Sequence, residues 1–335
     1  MKALRYRNPR EADIVEVDDY TIGADNEVIV RNVVSCISPG TELTFYTGTS
    51  PLLGRDGGPR YPLIARSGAW WMGYASVGEV VETGSAVETV KAGDLVFVKG
   101  PHSEYQKVAE RHVFKIDGCG ADTAAFLELI VIALTGILDA EIRLGETVAV
   151  FGLGVLGQLV ASMSGLAGAR VIGVGRRNRR RMDIAARRGC DPVLTADAHL
   201  DERLSEFTAG RRADWVFDAT GNVRGLEAAI RAAHTNGEVI VVSGMQQDAA
   251  YPLPLGADFH FRRIILRSSQ VGGIRPALRH RWDTGRRRRA AYELIPKLDI
   301  PSLVTHRIPF TDAPEAFALL DRRPERCLGM LLVYS

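Results

Sequence analysis

Residues 146–175 read ETVAVFGLGVLGQLVASMSGLAGARVIGVG, and few folds accommodate such a run. An apolar stretch, Val148–Phe151, leads into a glycine-rich turn. A helical pattern, Gln158–Ala167, follows, and then a second apolar stretch, Val171–Val174. Strand, turn, helix and strand in this order form a βαβ unit, whose two strands lie parallel. The turn itself is Gly152-Leu153-Gly154-Val155-Leu156-Gly157, a GxGxxG between strand and helix, which is the context of a dinucleotide fingerprint. Gly152 permits the tight turn, Gly154 lets the backbone approach a pyrophosphate, and Gly157 lets the helix pack closely on the sheet. Val155 and Leu156 complete the turn, and the positive end of the helix that follows offers the anion site.

The alternation continues downstream. Asn178–Arg188 and Gly225–His234 are helical in pattern, while Ala213–Asp218, Glu238–Ser243 and Ile264–Ser268 are strand-like. Upstream, the first 120 residues are β-rich, with strand candidates Glu27–Val33, Gly78–Glu82 and Asp94–Lys99 between turn signals. Gly48–Pro62 is rich in Gly and Pro and predicts a long exposed loop, Asp122–Leu144 is helical, and Met330–Tyr334 is a final strand. A chain of 335 residues with 46% apolar content can fill two domains. The predicted fold class is α/β, a Rossmann-type doubly wound parallel sheet with a second, β-rich domain. Residues 121–274 are assigned to the nucleotide-binding domain, and residues 1–120 with 275–335 to the other.

The side chains carry 42 basic and 40 acidic groups, a net charge of +2, which argues against a surface devoted to nucleic acid. Only six of the basic residues are lysines and 36 are arginines, a bias for which genome composition is sufficient cause. Seven arginines fall between Arg275 and Arg289 and are read as a solvated helix face. Cys36, Cys119, Cys190 and Cys327 are isolated, which excludes a disulfide scaffold and a cysteine-rich zinc lobe. The charged N-terminal stretch and the absence of a long apolar run predict a cytoplasmic protein that neither enters nor spans a membrane.

At the end of the second strand, where NAD-binding chains place a carboxylate for the ribose 2′-hydroxyl, stand Gly175-Arg176-Arg177. Glycine leaves room and guanidinium groups bind a 2′-phosphate, so the pattern favours NADP(H). The competing reading assigns Arg176 and Arg177, with Arg179, Arg180 and Arg181, to a solvated patch.

Several motifs together resemble the medium-chain dehydrogenase/reductase superfamily over essentially the whole chain. They are Gly40-Thr41-Glu42, Gly73-Tyr74-Ala75-x-x-Gly78-Glu79-Val80-Val81, Lys91-Ala92-Gly93-Asp94-Leu95-Val96, Ile132–Gly136 and the glycine turn. Ser38-Pro39-Gly40-Thr41-Glu42, Gly73-Tyr74 and Ser269-Gln270-Val271-Gly272-Gly273 are similar to the branch of bacteriochlorophyllide and related cyclitol or sugar dehydrogenases. The resemblance implies a GroES-like catalytic domain beside the Rossmann domain. It also places Thr135, Ala219, Thr220, Gly244, Met245, Ser269 and Gln270, with the glycine turn, Arg176, Arg177 and Arg181, around the cofactor. It implies a homodimer through the edge strand Ile264–Ser268.

Zinc-type members carry metal ligands where this chain has Pro39, Tyr74-Ala75 and Val131. Proline, alanine and valine supply no donor, and zinc needs three or four N, S or O ligands, so no zinc is expected. Another group must then stabilise negative charge at the reacting oxygen. Tyr74 is the first candidate, as a hydroxyl donor or as a packed aromatic. Thr41 is the second, and Glu42 matches an acidic residue that in zinc relatives contacts a ligand from behind. Tyr46, Trp70 and Trp71 are candidates for an aromatic substrate wall, or for domain core. The expected activity is NADPH-dependent, zinc-independent reduction of a C=C or C=O in a small cyclic metabolite. The alternatives are an NADP⁺-dependent alcohol or cyclitol dehydrogenase and a cofactor-binding protein without turnover.

Overall fold

Val148, Ala149, Val150 and Phe151 are all buried, as a strand covered on both faces requires. In the computed structural model, which describes residues 1–53, 65–66, 69–245, 253 and 255–335, this strand lies inside a six-stranded parallel sheet. The strands, in chain order, are Thr147–Phe151, Arg170–Gly175, Cys190–Thr195, Ala213–Asp218, Ala233–Val241 and Ile265–Ser268. Their spatial order is third, second, first, fourth, fifth, sixth, so the order reverses beside the first strand. That reversal opens the ligand crevice of a doubly wound sheet at the carboxyl ends of the first and fourth strands. Val148 pairs with Val171 on one side and with Trp215 on the other.

The third strand and the helix Leu200–Phe207 are absent from the sequence expectation. Pro192 within Cys190–Thr195 speaks against a strand, and it is tolerated because this strand forms the outer edge of the sheet. Leu200 and Leu204, one turn apart, bury against Ile172 and Val174 and tie the helix to the same core.

The chain divides into two compact units, Met1–Glu128 with Ile300–Ser335, and Leu129–Asp299. The boundaries differ from the expected 120/121 and 274/275. Glu128 belongs to the first unit, where it pairs with Lys99. Residues 275–299 belong to the nucleotide unit because Arg287 and Asp299 bond to residues within it.

In the first unit the long strand Glu27–Ile37 organises a seven-stranded sheet. It pairs antiparallel with Ser76–Thr83, with Tyr105–Ala109 and, through Val34–Ile37, with the returning strand Gly329–Val333. The helix Ala313–Arg322 turns Ala316, Phe317 and Leu320 into the core formed by Leu4, Tyr6, Ile37, Phe45 and Leu332. Most of the expected loop Gly48–Pro62 lies outside the described residues, and Leu53 within its described part is buried. No helix among the described residues is long and apolar enough to cross a membrane.

Candidate active site

The glycine turn of the nucleotide unit has the shape its sequence calls for. Gly152 takes φ +91°, and a Cβ there would lie 2.8 Å from the carbonyl oxygen of Ala219. A Cβ on Gly157 would collide with the carbonyl oxygen of Gly152, so the first turn of the helix Val155–Leu166 packs onto the strand end as only glycine allows. Gly154 faces open space. It is also the helix N-cap, and it has no side chain to cap the first amides of the helix. Unsatisfied amides at the positive end of a helix form an anion site, and the cradle fits a pyrophosphate.

Ala219 and Thr220 lie against Gly152, and the Gly221 amide donates to Oγ of Ser243 at 2.8 Å, beside Gly244. The expected residues at the ends of the fourth and fifth strands therefore converge on the crevice. Met245 packs on the apolar core of this unit. Asp218, a residue missed by the sequence, is buried there, and burial raises its carboxyl above the usual range. Its Oδ1 accepts from the amide and hydroxyl of Thr220, while Oδ2 is buried without a partner among the described residues.

Other expected cofactor residues are committed elsewhere. The space beside Gly175 is filled by Leu153, whose Cδ1 lies 2.9 Å from a Cβ built on Gly175, so this glycine serves packing rather than leaving room for phosphate. Arg176 and Arg177 are exposed, and Arg177 stands 4.0 Å from Asp197. Arg181 lies in the first turn of the helix Arg179–Arg187, where its amide donates to the N-cap Asn178 and its carbonyl accepts from Gln158. Ser269 donates to Asp139 at 2.7 Å, and the Gln270 side chain accepts the Gly272 amide at 2.6 Å. Thr135 donates to the carbonyl of Val131 and accepts from Arg287.

In the other unit a turn and a five-residue helix carry Ser38, Thr41 and Glu42. Tyr74 donates a short hydrogen bond to Oγ of Ser38, and the Thr41 side chain also bonds to the phenol. Burial, and after it the charge of Glu42, push the Tyr74 phenol above its ordinary range, so it stays protonated and acts as a donor. Glu42 is fully buried. Its Oε1 accepts the Ser38 amide at 2.9 Å and its Oε2 meets Nε2 of His102 at 2.6 Å. His102 is a second residue missed by the sequence. No sequence signal marks it; the fold brings Gly73, at φ +131°, so close that a Cβ there would lie 2.7 Å from the His102 amide.

Tyr46 does not line a pocket: it is buried with Tyr6 and Phe317 in an aromatic core cluster. Trp71 is half-buried, with an indole nitrogen that has no partner among the described residues. The Trp70 backbone pairs with Tyr6 and Ala65, and its side chain lies outside the described residues.

The donor set does not suit zinc. Pro39, Ala75 and Val131 have no ligand atoms, and both ring nitrogens of His102 are engaged. The buried Cys36 thiol is raised by desolvation and directs its hydrogen at the Ile37 carbonyl. Among the described residues no three His, Cys, Asp or Glu side chains cluster as a metal site.

Comparison with known proteins adds the lineage. The profile of the alcohol dehydrogenase GroES-like domain matches residues 24–141, and that of the zinc-binding dehydrogenases matches residues 155–288. The chain belongs to the medium-chain dehydrogenase/reductase superfamily. It is an oxidoreductase of that superfamily, with the GroES-like and Rossmann-type domains of its members. It is 27% identical to D-guloside 3-dehydrogenase of Escherichia coli (strain K12), over 98% of this chain and 99% of the relative. It is 28% identical to (R,R)-butanediol dehydrogenase of Bacillus subtilis (strain 168), over 82% and 84%. The solved structure of 2R,3R-butanediol dehydrogenase from Bacillus subtilis superposes with a TM-score of 0.81, at 24% identity and 99% coverage of both chains.

Proposed function

We propose that the protein is a pyridine-nucleotide-dependent dehydrogenase of a small polyhydroxylated alcohol, and that hydroxyl groups rather than a metal hold the reacting oxygen. The observation that carries this is the cluster of Tyr74, Ser38 and Thr41, which occupies the segments where zinc-type relatives carry ligands. The full-length relatives are named for dehydrogenation of a glycoside and a diol. That favours alcohol oxidation over the expected enone reduction, which finds no support among them.

The glycine cradle and the bare helix N-terminus would hold the pyrophosphate of a pyridine nucleotide, which when bound would supply the hydride acceptor. The Tyr74 phenol, kept protonated by burial and by Glu42, donates to the substrate oxygen and stabilises charge that builds on it. On substrate binding the phenol turns its single hydrogen from Ser38 Oγ to the substrate oxygen, and the alcohol proton is released to a base in solvent in oxidation and taken back from solvent in reduction. Arg176, exposed and without an ion pair among the described residues, supports a preference for NADP(H).

The proposal extends to a homodimer. Ile265–Ser268 is the outer strand of the parallel sheet, and Ile265, Leu266 and Phe261 expose apolar side chains beside its open edge. Light scattering behind gel filtration checks it, and a monomer at micromolar concentration refutes it.

The deciding experiment presents the purified protein with diols, hexitols, aldonates and methyl glycosides, using NADP⁺ or NAD⁺, and follows reduced nicotinamide. Oxidation of members of this panel, with a loss of about 100-fold in kcat for Tyr74→Phe, is expected for a lost charge-stabilising donor. Reduction of enones with no alcohol oxidation would reject the proposal, and so would stoichiometric zinc whose removal abolishes turnover. Nucleotide binding without turnover on alcohols, ketones or enones would leave a non-catalytic role.

A further inference from the structure

The buried hydrogen bonds behind Glu42 have a direction. A carboxylate only accepts, so Nε2 of His102 carries its proton and donates to Oε2. In the Nε2–H tautomer Nδ1 is an acceptor, and Ser35 Oγ donates to it at 2.7 Å. The Ser35 oxygen in turn accepts from the hydroxyl of Tyr334 at 2.9 Å. Every donor from Tyr334 to Glu42 points the same way. Ser35, His102 and Glu42 have essentially no exposed surface, and such a network persists only when each member is satisfied, as these are.

We propose that His102, acting through Glu42, is a positioning residue for the Ser38–Tyr74 hydroxyl pair, with Tyr334 and Ser35 holding its tautomer. This rests on Tyr74 being the donor to the reacting oxygen. Two observations separate positioning from proton conduction. Glu42 reaches Ser38 at its amide and not at its hydroxyl, and a peptide N–H does not relay a proton, so the chain is broken between His102 and Tyr74. His102 is also anchored by its backbone, since its amide donates to the Met72 carbonyl at 2.9 Å, two residues before Tyr74. Ring and amide of one residue thereby brace both segments that present the hydroxyls. Orienting groups of this kind hold a reacting side chain within a fraction of an ångström of its productive place.

The test compares His102→Gln with His102→Asn, because the glutamine amide reaches the place of Nε2 and the asparagine amide reaches only that of Nδ1. With the best alcohol of the panel above, H102Q keeps kcat within about threefold, and H102N loses about tenfold or more at unchanged KM for the nucleotide. In the nucleotide-free protein, hydrogen exchange at the Ser38 amide rises about tenfold or more in H102N, while the strands Thr147–Phe151 and Arg170–Gly175 keep their protection. Wild-type kcat and wild-type exchange in H102N would overturn the proposal. Should H102N not fold, Tyr334→Phe removes the hydroxyl alone, and an unchanged kcat there would overturn it equally. If Tyr74→Phe and Ser38→Ala both turn over like wild type, the hydroxyl mechanism itself fails, whatever His102 does to the amide.

Discussion

Nη1 of Arg287 lies 3.0 Å from Oγ1 of Thr135, two residues separated by 152 positions in the chain. The same nitrogen donates to the carbonyls of Val271 and Gly273, each at 3.0 Å, and the side chain is only 4% exposed. One member of the arginine run is therefore a clamp on the segment 271–273, while its neighbours Arg286 and Arg289 face solvent.

Arg287→Ala removes this clamp and leaves a buried hydroxyl and two carbonyls short of a donor. A loss of about 3 kcal/mol in stability is expected, since each unsatisfied buried group costs ~1–3 kcal/mol. Chemical denaturation measures it, and Arg289→Ala serves as the exposed control with a change below about 0.5 kcal/mol.

Gly157→Ala places a methyl group against the Gly152 carbonyl oxygen. The helix start must shift, so nucleotide affinity falls by about tenfold or more on the usual worth of 1.4 kcal/mol per decade. Fluorescence titration with NADPH reads the loss. Gly154→Ala, whose Cβ meets open space in the nucleotide-free protein, leaves stability nearly unchanged and lowers affinity by obstructing the pyrophosphate.

Arg176→Ala raises KM for NADP⁺ by about tenfold and leaves that for NAD⁺ nearly unchanged, as the loss of one charge-assisted phosphate contact of ~1.5 kcal/mol requires. Equal effects on both nucleotides would assign Arg176 to the solvated patch.

Tyr6, Tyr74 and Tyr334 all have phenol pKa values raised chiefly by burial. In the unfolded chain a tyrosine loses its proton near pH 10, whereas in the folded protein these three retain theirs. Above that pH the folded state binds more protons, so stability falls as pH rises. Urea midpoints between pH 8 and about 11 should drop, and Tyr74→Phe should flatten the slope by up to ~1.4 kcal/mol per pH unit.

What the sequence makes legible follows from how local each signal is. The strand, turn and helix are legible because they are contiguous, and Gly152 and Gly157 answer contacts within that stretch or at the adjoining strand end, while Gly154 faces open space. The arginine run is misread at Arg287 because a guanidinium shows nothing of its burial until residues 135, 271 and 273 are brought to it. Tyr46 is likewise placed in the core by Phe317, far along the chain. Ser38 lies inside a quoted motif and passes unnoticed, since only the fold brings Tyr74 to its hydroxyl. His102 carries no periodicity and no motif, and its role exists only in the bonds it makes to Glu42 and Ser35.

The pairing of Glu42 with His102 also sets terms for protein engineering. Writing cysteine, histidine and glutamate back at positions 39, 74 and 75 would supply donor atoms. Glu42 would nevertheless remain bound to an imidazole on its far side and to the Ser38 amide, so both of its oxygens are already held by other groups. A redesign that ignores His102 would thus obtain ligands behind which the nearest buried carboxylate already serves an imidazole and a peptide amide.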